Sequence, residues 1–115
     1  MPRASANSDV FNAVAEPDRR AILDFLAPRE RAVGEVVRAL KFSQPSVSKH
    51  LRVLRKVDLV HARRDGRRML YRTNADAVRP LHAWAGTFER YWADQLRRIK
   101  KRVESKRGSP PEGGD

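Results

Sequence analysis

Between Phe42 and Val57 the chain reads Phe-Ser-Gln-Pro-Ser-Val-Ser-Lys-His-Leu-Arg-Val-Leu-Arg-Lys-Val, and its polar members suit one kind of chemistry. Gln44, Ser46, Ser48, Lys49 and Arg52 supply an amide, two hydroxyls and then cations, in that order. Amides and hydroxyls read base edges through hydrogen bonds, whereas cations neutralise phosphates. Gln44 is the best candidate for a bidentate contact to adenine. A second cluster, Arg63, Arg64, Arg67 and Arg68, brackets Asp65-Gly66. Like charges so close repel unless phosphate or solvent separates them. These four arginines are therefore expected to hold phosphates, with Arg64 or Arg67 able to enter a narrow minor groove.

Such residues need elements to present them. Ser43 is a strong N-cap and Pro45 fits a first helical turn, so a helix is expected from there. Val47, Leu51 and Leu54 recur at helical spacing and give it an inward face. A shorter helix precedes it, from about Val33 to Leu40, with Val33, Val36, Val37 and Leu40 on one face. Only Lys41 and Phe42 lie between the two, and that combination predicts a helix-turn-helix. Further upstream, a short helix starts after Ser8 or Asp9 with Val10, Phe11 and Val14 as its apolar set. Pro17 then opens another, in which Ala21, Ile22, Phe25 and Leu26 face the core, Arg19 and Arg20 face out, and Pro28 follows as a stop.

After Asp58 the period changes to alternation. Leu59 to Arg64 and Arg67 to Thr73 read as a hairpin around Asp65-Gly66, which favours a type I′ turn with both central residues at positive φ. Val60 and Ala62 share a face with Met69 and Tyr71, so the base of the hairpin is anchored and its tip is basic. The last helix is expected to start near Asp76 or Ala77 and to be the longest. Its stripe Leu81, Ala85, Phe88, Trp92, Leu96, Ile99 and Val103, widened by Trp84 and Tyr91, exceeds what a small domain covers. A second copy of the chain is the expected partner. The dimer interface is assigned to Val10, Phe11, Val14, Leu81, Trp84, Phe88, Trp92 and Leu96.

The chain of 115 residues carries a net charge of +11, which points to a polyanionic partner. The charge is segregated: residues 1 to 42 hold seven basic and six acidic groups, whereas residues 43 to 73 hold nine basic and two acidic. There is no cysteine, so disulfides and thiolate metal sites are excluded. The N-terminal residues contain no apolar run, so neither a signal peptide nor a membrane span is expected and the location is cytoplasmic. No nucleophile with its base, paired catalytic carboxylates or phosphate-binding glycine loop appears, so an enzyme is not expected, and no cofactor is either. Of the three histidines, His50 reads as a packing and hydrogen-bonding residue and His61 as an outer-face residue. His82 has too few partner ligands within reach for a metal site. Residues 1 to 8 are expected to be flexible, 9 to 104 to form one DNA-binding and dimerisation domain, and 105 to 115 to be a disordered tail. The basic stretch Arg97 to Arg102 is either a solvated helix end or a set of flanking phosphate contacts.

The segments 10 to 23 (Val-Phe-Asn-Ala-Val-Ala-Glu-Pro-Asp-Arg-Arg-Ala-Ile-Leu) and 43 to 54 (Ser-Gln-Pro-Ser-Val-Ser-Lys-His-Leu-Arg-Val-Leu) carry a family resemblance. With Arg64-Asp65-Gly66-Arg67-Arg68 and Leu70-Tyr71-Arg72, they resemble the ArsR (ArsR/SmtB) family of bacterial repressors. The resemblance covers residues 9 to 104. It implies a mainly α fold with a small β-hairpin, a winged helix-turn-helix of order α-α-α-α-β-β-α, dimerising through its first and last helices. It also implies a repressor of a palindromic operator that can act on its own operon and leave DNA when an inducer binds. The expected partners are thus double-stranded DNA and a second copy of the chain; whether there is also a small-molecule inducer, and which, the resemblance leaves open. The family's cysteine-type metal site would fall at Ala32, Gly34 and Val37. Its other site would fall at Pro80, His82, Ala93 and Leu96. Neither set can bind a metal, so the chain resembles the metal-independent members. The alternative class is a sequence-indifferent architectural DNA-binding protein, which would need the basic surface but not Gln44.

Overall fold

Pro17 and Pro45 both sit in first helical turns, where a missing N–H forfeits no intrahelical bond. In the computed structural model, which describes residues 6 to 108, they stand at the starts of α2, Pro17–Leu26, and α4, Gln44–Lys56. Helix α1, Ala6–Ala13, begins earlier than the expected start after Ser8 or Asp9. The remainder of the expected flexible N-terminus, residues 1 to 5, lies outside the described residues. Arg19 and Arg20 do more than face outward. The Arg19 Nε donates to the Ala13 carbonyl at 2.6 Å and the Arg20 Nη1 to the Val14 carbonyl at 2.7 Å. Carbonyls at a helix C-terminus lack intrahelical donors, and these guanidinium groups supply them.

Helix α3 occupies Val33–Leu40 as its spacing predicts. At its start, Glu35 reaches back to accept from the Ala32 N–H at 2.9 Å, which is one half of a capping box. At its end, Lys41 takes the left-handed conformation, φ 59°, and turns the chain toward α4. There Ser43 acts as expected: its side chain accepts from the Ser46 N–H at 3.3 Å. Helix α4 ends in a Schellman motif, with Asp58 at φ 61°, its N–H on the Arg55 carbonyl and the Leu59 N–H on the Leu54 carbonyl. Leu54 and Leu59, thereby held close in sequence order, are both fully buried.

The hairpin consists of β2, Val60–Asp65, and β3, Arg68–Thr73. Its turn differs from the expected one. Asp65 pairs with Arg68, so the central residues are Gly66 and Arg67, and only Gly66 has a positive φ, 67°. That is the requirement of a type II′ turn rather than type I′, with glycine at the first central position. The pairing moves by two residues relative to a turn at Asp65-Gly66, and because side chains alternate with a period of two, the faces survive. Ala62 stands opposite Tyr71 and Val60 opposite Thr73. A third strand, β1, Arg31–Ala32, pairs antiparallel with β3, so the sheet order is β1-β3-β2. Two residues are too few to show alternation in a sequence.

Ile22, Leu26, Val36, Val47, Leu54 and Leu59 form the fully buried centre, drawn from α2, α3, α4 and the approach to β2. Removing each of these six side chains from water contributes roughly 1.5–3 kcal/mol. The Thr73 hydroxyl donates to the Leu23 carbonyl at 2.8 Å and ties β3 to α2.

The single last helix expected from Asp76 is instead three pieces: a 3-10 turn at Ala75–Val78, α5 at Arg79–Gly86, and α6 at Glu89–Gly108. The break has a local cause. Gly86 favours helix weakly, and the Thr87 hydroxyl donates to the Trp84 carbonyl at 2.7 Å. The Thr87 and Phe88 N–H groups then bond three residues back, to Trp84 and Ala85, instead of four. Helix α6 runs past the expected boundary at 104, and residues 109 to 115 of the expected tail lie outside the described residues. The chain divides after Leu81 into two compact units, the first holding the helix-turn-helix and the sheet.

Candidate nucleic-acid interface

Helix α4 turns Val47, Leu51 and Leu54 into the core and leaves Gln44, Lys49, Arg52, Arg55 and Lys56 exposed. At about 100° per residue, Gln44, Ser48, Arg52 and Arg55 fall within roughly 80° of one another, with Lys49 and Lys56 flanking them. Ser46 falls about 160° from Ser48 on the same count. Both serines are half-buried, and the Ser46 N–H donates to the Ser43 hydroxyl. The expected set therefore shares one helix but not one face. His50 is half-buried with its Nδ1 shielded from solvent and lacking a hydrogen-bond partner.

Beside this face the helix and the sheet form a cleft lined by Ser48, Leu51, Arg52, Arg55, Lys56 and Tyr71. Three cations and no carboxylate line it, so its field favours an anion. Arg55 and Tyr71 had not been singled out as surface residues. Arg55 was legible, lying three residues beyond Arg52, whereas Tyr71 reaches the cleft only through the fold of the hairpin.

The four arginines of the hairpin do not act alike. Neighbours in a strand point to opposite faces, so Arg64 shares the face of Ala62 and Tyr71, and Arg63 the other. Arg63 is engaged: its Nε and Nη2 donate to the two carboxylate oxygens of Glu30 at 2.7 and 2.8 Å. The Arg63 guanidinium holds the Glu30 carboxyl below its ordinary range, and Glu30 in turn raises Arg63. Arg64, Arg67 and Arg68 are exposed and enter no ion pair among the described residues. Glu30 was not identified from the sequence, since 33 residues separate it from Arg63.

Of the residues assigned to a dimer interface, Val10 is only 4% exposed, and Val14 and Leu81 pack partly against the same core. Phe11 is half-buried. By contrast Trp84, Phe88, Trp92 and Leu96 are exposed, as are Tyr91, Ile99 and Val103. Trp84 and Phe88 meet edge to face at 5.5 Å, so the aromatic groups stack on each other along the helix pair. In the basic stretch, Asp94 pairs with both Arg97 and Arg98, at 3.0 and 3.1 Å. No group of three or more metal-ligating side chains is gathered among the described residues, and no described helix is long and apolar enough to cross a membrane.

Comparison with known proteins agrees with this geometry. Residues 16–62 match the family model for bacterial regulatory proteins of the arsR family. The transcriptional repressor SdpR of Bacillus subtilis is 30% identical over 81 residues, covering 70% of this chain and 90% of that protein. An HTH-type transcriptional regulator of Mycobacterium tuberculosis is 35% identical over 95 residues, covering 83% of this chain and 86% of its own length. Among solved structures, a homodimeric winged helix-turn-helix DNA-binding domain from Mycobacterium bovis, a possible ArsR-family regulator, superposes with a TM-score of 0.62. It is 31% identical, covering 77% of this chain and 92% of that one. With its helix-turn-helix, its hairpin wing and relatives matched over most of their length, the chain belongs to the ArsR family of winged helix-turn-helix transcriptional regulators.

Proposed function

We propose that the protein is a cytoplasmic homodimeric repressor that binds a palindromic operator, its own promoter region being the first candidate. The observation that carries this reading is the exposed face of α4 beside a cleft of three cations without a carboxylate. Gln44 and Ser48 would read base edges in the major groove, Lys49, Arg52, Arg55 and Lys56 would hold phosphates, and Arg64, Arg67 and Arg68 would follow the backbone at the wing. The exposed stripe Trp84, Phe88, Trp92 and Leu96 supports a dimer, as does the homodimeric state of the similar M. bovis domain. Two half-sites would then lie about one helical turn apart, on the order of 34 Å. The absence of the family's metal-ligand residues supports metal-independent action, with any inducer a small molecule.

The test is binding to DNA upstream of its own gene against a scrambled fragment of equal length, at near-physiological salt, with and without divalent metals. A preference of about a thousandfold or more, indifferent to metal, is expected. Replacing Gln44 by Ala should lower that preference by about thirtyfold or more while sparing the scrambled fragment, since the dimer loses two bidentate base contacts worth about 1–3 kcal/mol each. Equal binding to both fragments by the unaltered protein would favour the sequence-indifferent alternative.

A further inference from the structure

We propose that Glu30 withdraws Arg63 from the DNA-contacting set and makes it a strut that fixes where the wing stands. The inference rests on the DNA-binding reading above and assigns positioning roles within that surface. Glu30 immediately precedes β1, the two-residue strand that pairs with β3, and Arg63 lies on β2 at the other edge of the same sheet. The bidentate pair thus spans the sheet from edge to edge. Its two parallel hydrogen bonds fix direction as well as distance, which a single contact to one oxygen would not.

The two faces of the hairpin differ in charge accordingly. On the Arg63 side is a hollow lined by Glu30 and Asp76 together with Arg63, Arg72 and His61. Asp76 is itself paired with Arg79 at 3.5 Å. Both carboxylates are thus matched by arginines, so this side draws a phosphate less than a cleft of three cations does. The Arg64 side opens toward α4 and its cleft of cations alone. Glu30 therefore does two things at once: it withdraws one cation from a tip that would otherwise carry four, and it leaves the Arg63 side of the wing less attractive to phosphate than the Arg64 side.

The salt dependence of binding separates this role from a simple structural one, because each phosphate contact contributes about 0.9 to the slope of log K against log salt. Slopes would be measured on the upstream and scrambled fragments for the unaltered protein and for R63A, R64A, E30A and E30Q, each checked for folding by circular dichroism. R64A removes one contact from each protomer of the dimer and should lower the slope by about 1.8 on both fragments. R63A should leave it unchanged. E30A and E30Q free Arg63 in both protomers, so the slope on the scrambled fragment should steepen by up to about 1.8 and the preference for the upstream fragment should fall several-fold. The proposal is overturned if R63A lowers the slope as much as R64A, or if neither Glu30 variant changes the preference. Failure of the unaltered protein to bind either fragment would instead overturn the DNA reading itself.

Discussion

Glu35 gathers two partners at the entry to the helix-turn-helix: it accepts from the Ala32 N–H and lies 3.6 Å from the Arg31 guanidinium. The backbone hydrogen bond, with help from Arg31, holds its carboxyl below the ordinary range. A carboxyl depressed in the folded state contributes stability that is fully present above its unfolded value and is lost as the pH falls through the folded one. Urea unfolding between pH 7 and pH 3 should therefore show a smaller acid loss for Glu35→Gln than for the unaltered protein. An identical acid limb in both would mean that the cap contributes nothing. Arg31, whose guanidinium also lies 4.5 Å from the Phe25 ring centre, illustrates how much one residue here is asked to do.

At the scale of elements, two helix ends are shaped by residues other than glycine in the left-handed region. Asp58 suits it, because a short polar side chain tolerates that conformation, and its carbonyl is held by the Asn74 side chain at 2.9 Å. Lys41 suits it poorly. It is exposed, so Lys41→Gly should relieve the turn between α3 and α4 at little cost. A gain of about 1 kcal/mol is expected, read as a higher urea midpoint with an unchanged slope. A loss would show that Lys41 makes a contact the turn needs. The elements themselves were largely legible. Apolar spacing and proline placement located α2, α3 and α4, and alternation located both strands of the hairpin. The turn was displaced because Asp65-Gly66 and Gly66-Arg67 are both glycine turns, and nothing local tells which residue of the pair takes the positive φ. The break at Gly86 was missed because the apolar stripe continues through it in register.

For the molecule as a whole, the seven exposed large apolar side chains between Trp84 and Val103 are the feature a monomer explains least. If they form the dimer surface, Trp92→Glu should place a charge in its centre and yield a monomer in sedimentation at micromolar concentration, with the helix-turn-helix still folded by circular dichroism. Operator affinity should then fall by about a hundredfold or more, because the second half-site would no longer be bound as an intramolecular event. A Trp92→Glu protein that stays dimeric would move the interface elsewhere, with Phe11 and the α1 surface the next place to look.

What the sequence determined by itself was every feature with a short period: three helices of the DNA-binding unit, the cap at Ser43, the two hairpin strands and the basic surface they carry. Periodicity and capping are local, and a chain displays them before it folds. Tertiary structure alone decided which of the charged groups are free to meet DNA. Alternation puts the neighbours Arg63 and Arg64 on opposite faces, but the return of Glu30 from 33 positions earlier is what engages one and leaves the other free of ion pairs among the described residues. It likewise decided that Val10 belongs to the core and that Tyr71 reaches the cleft beside α4. Such assignments depend on which distant segments pack together, and composition and spacing do not encode distance in space.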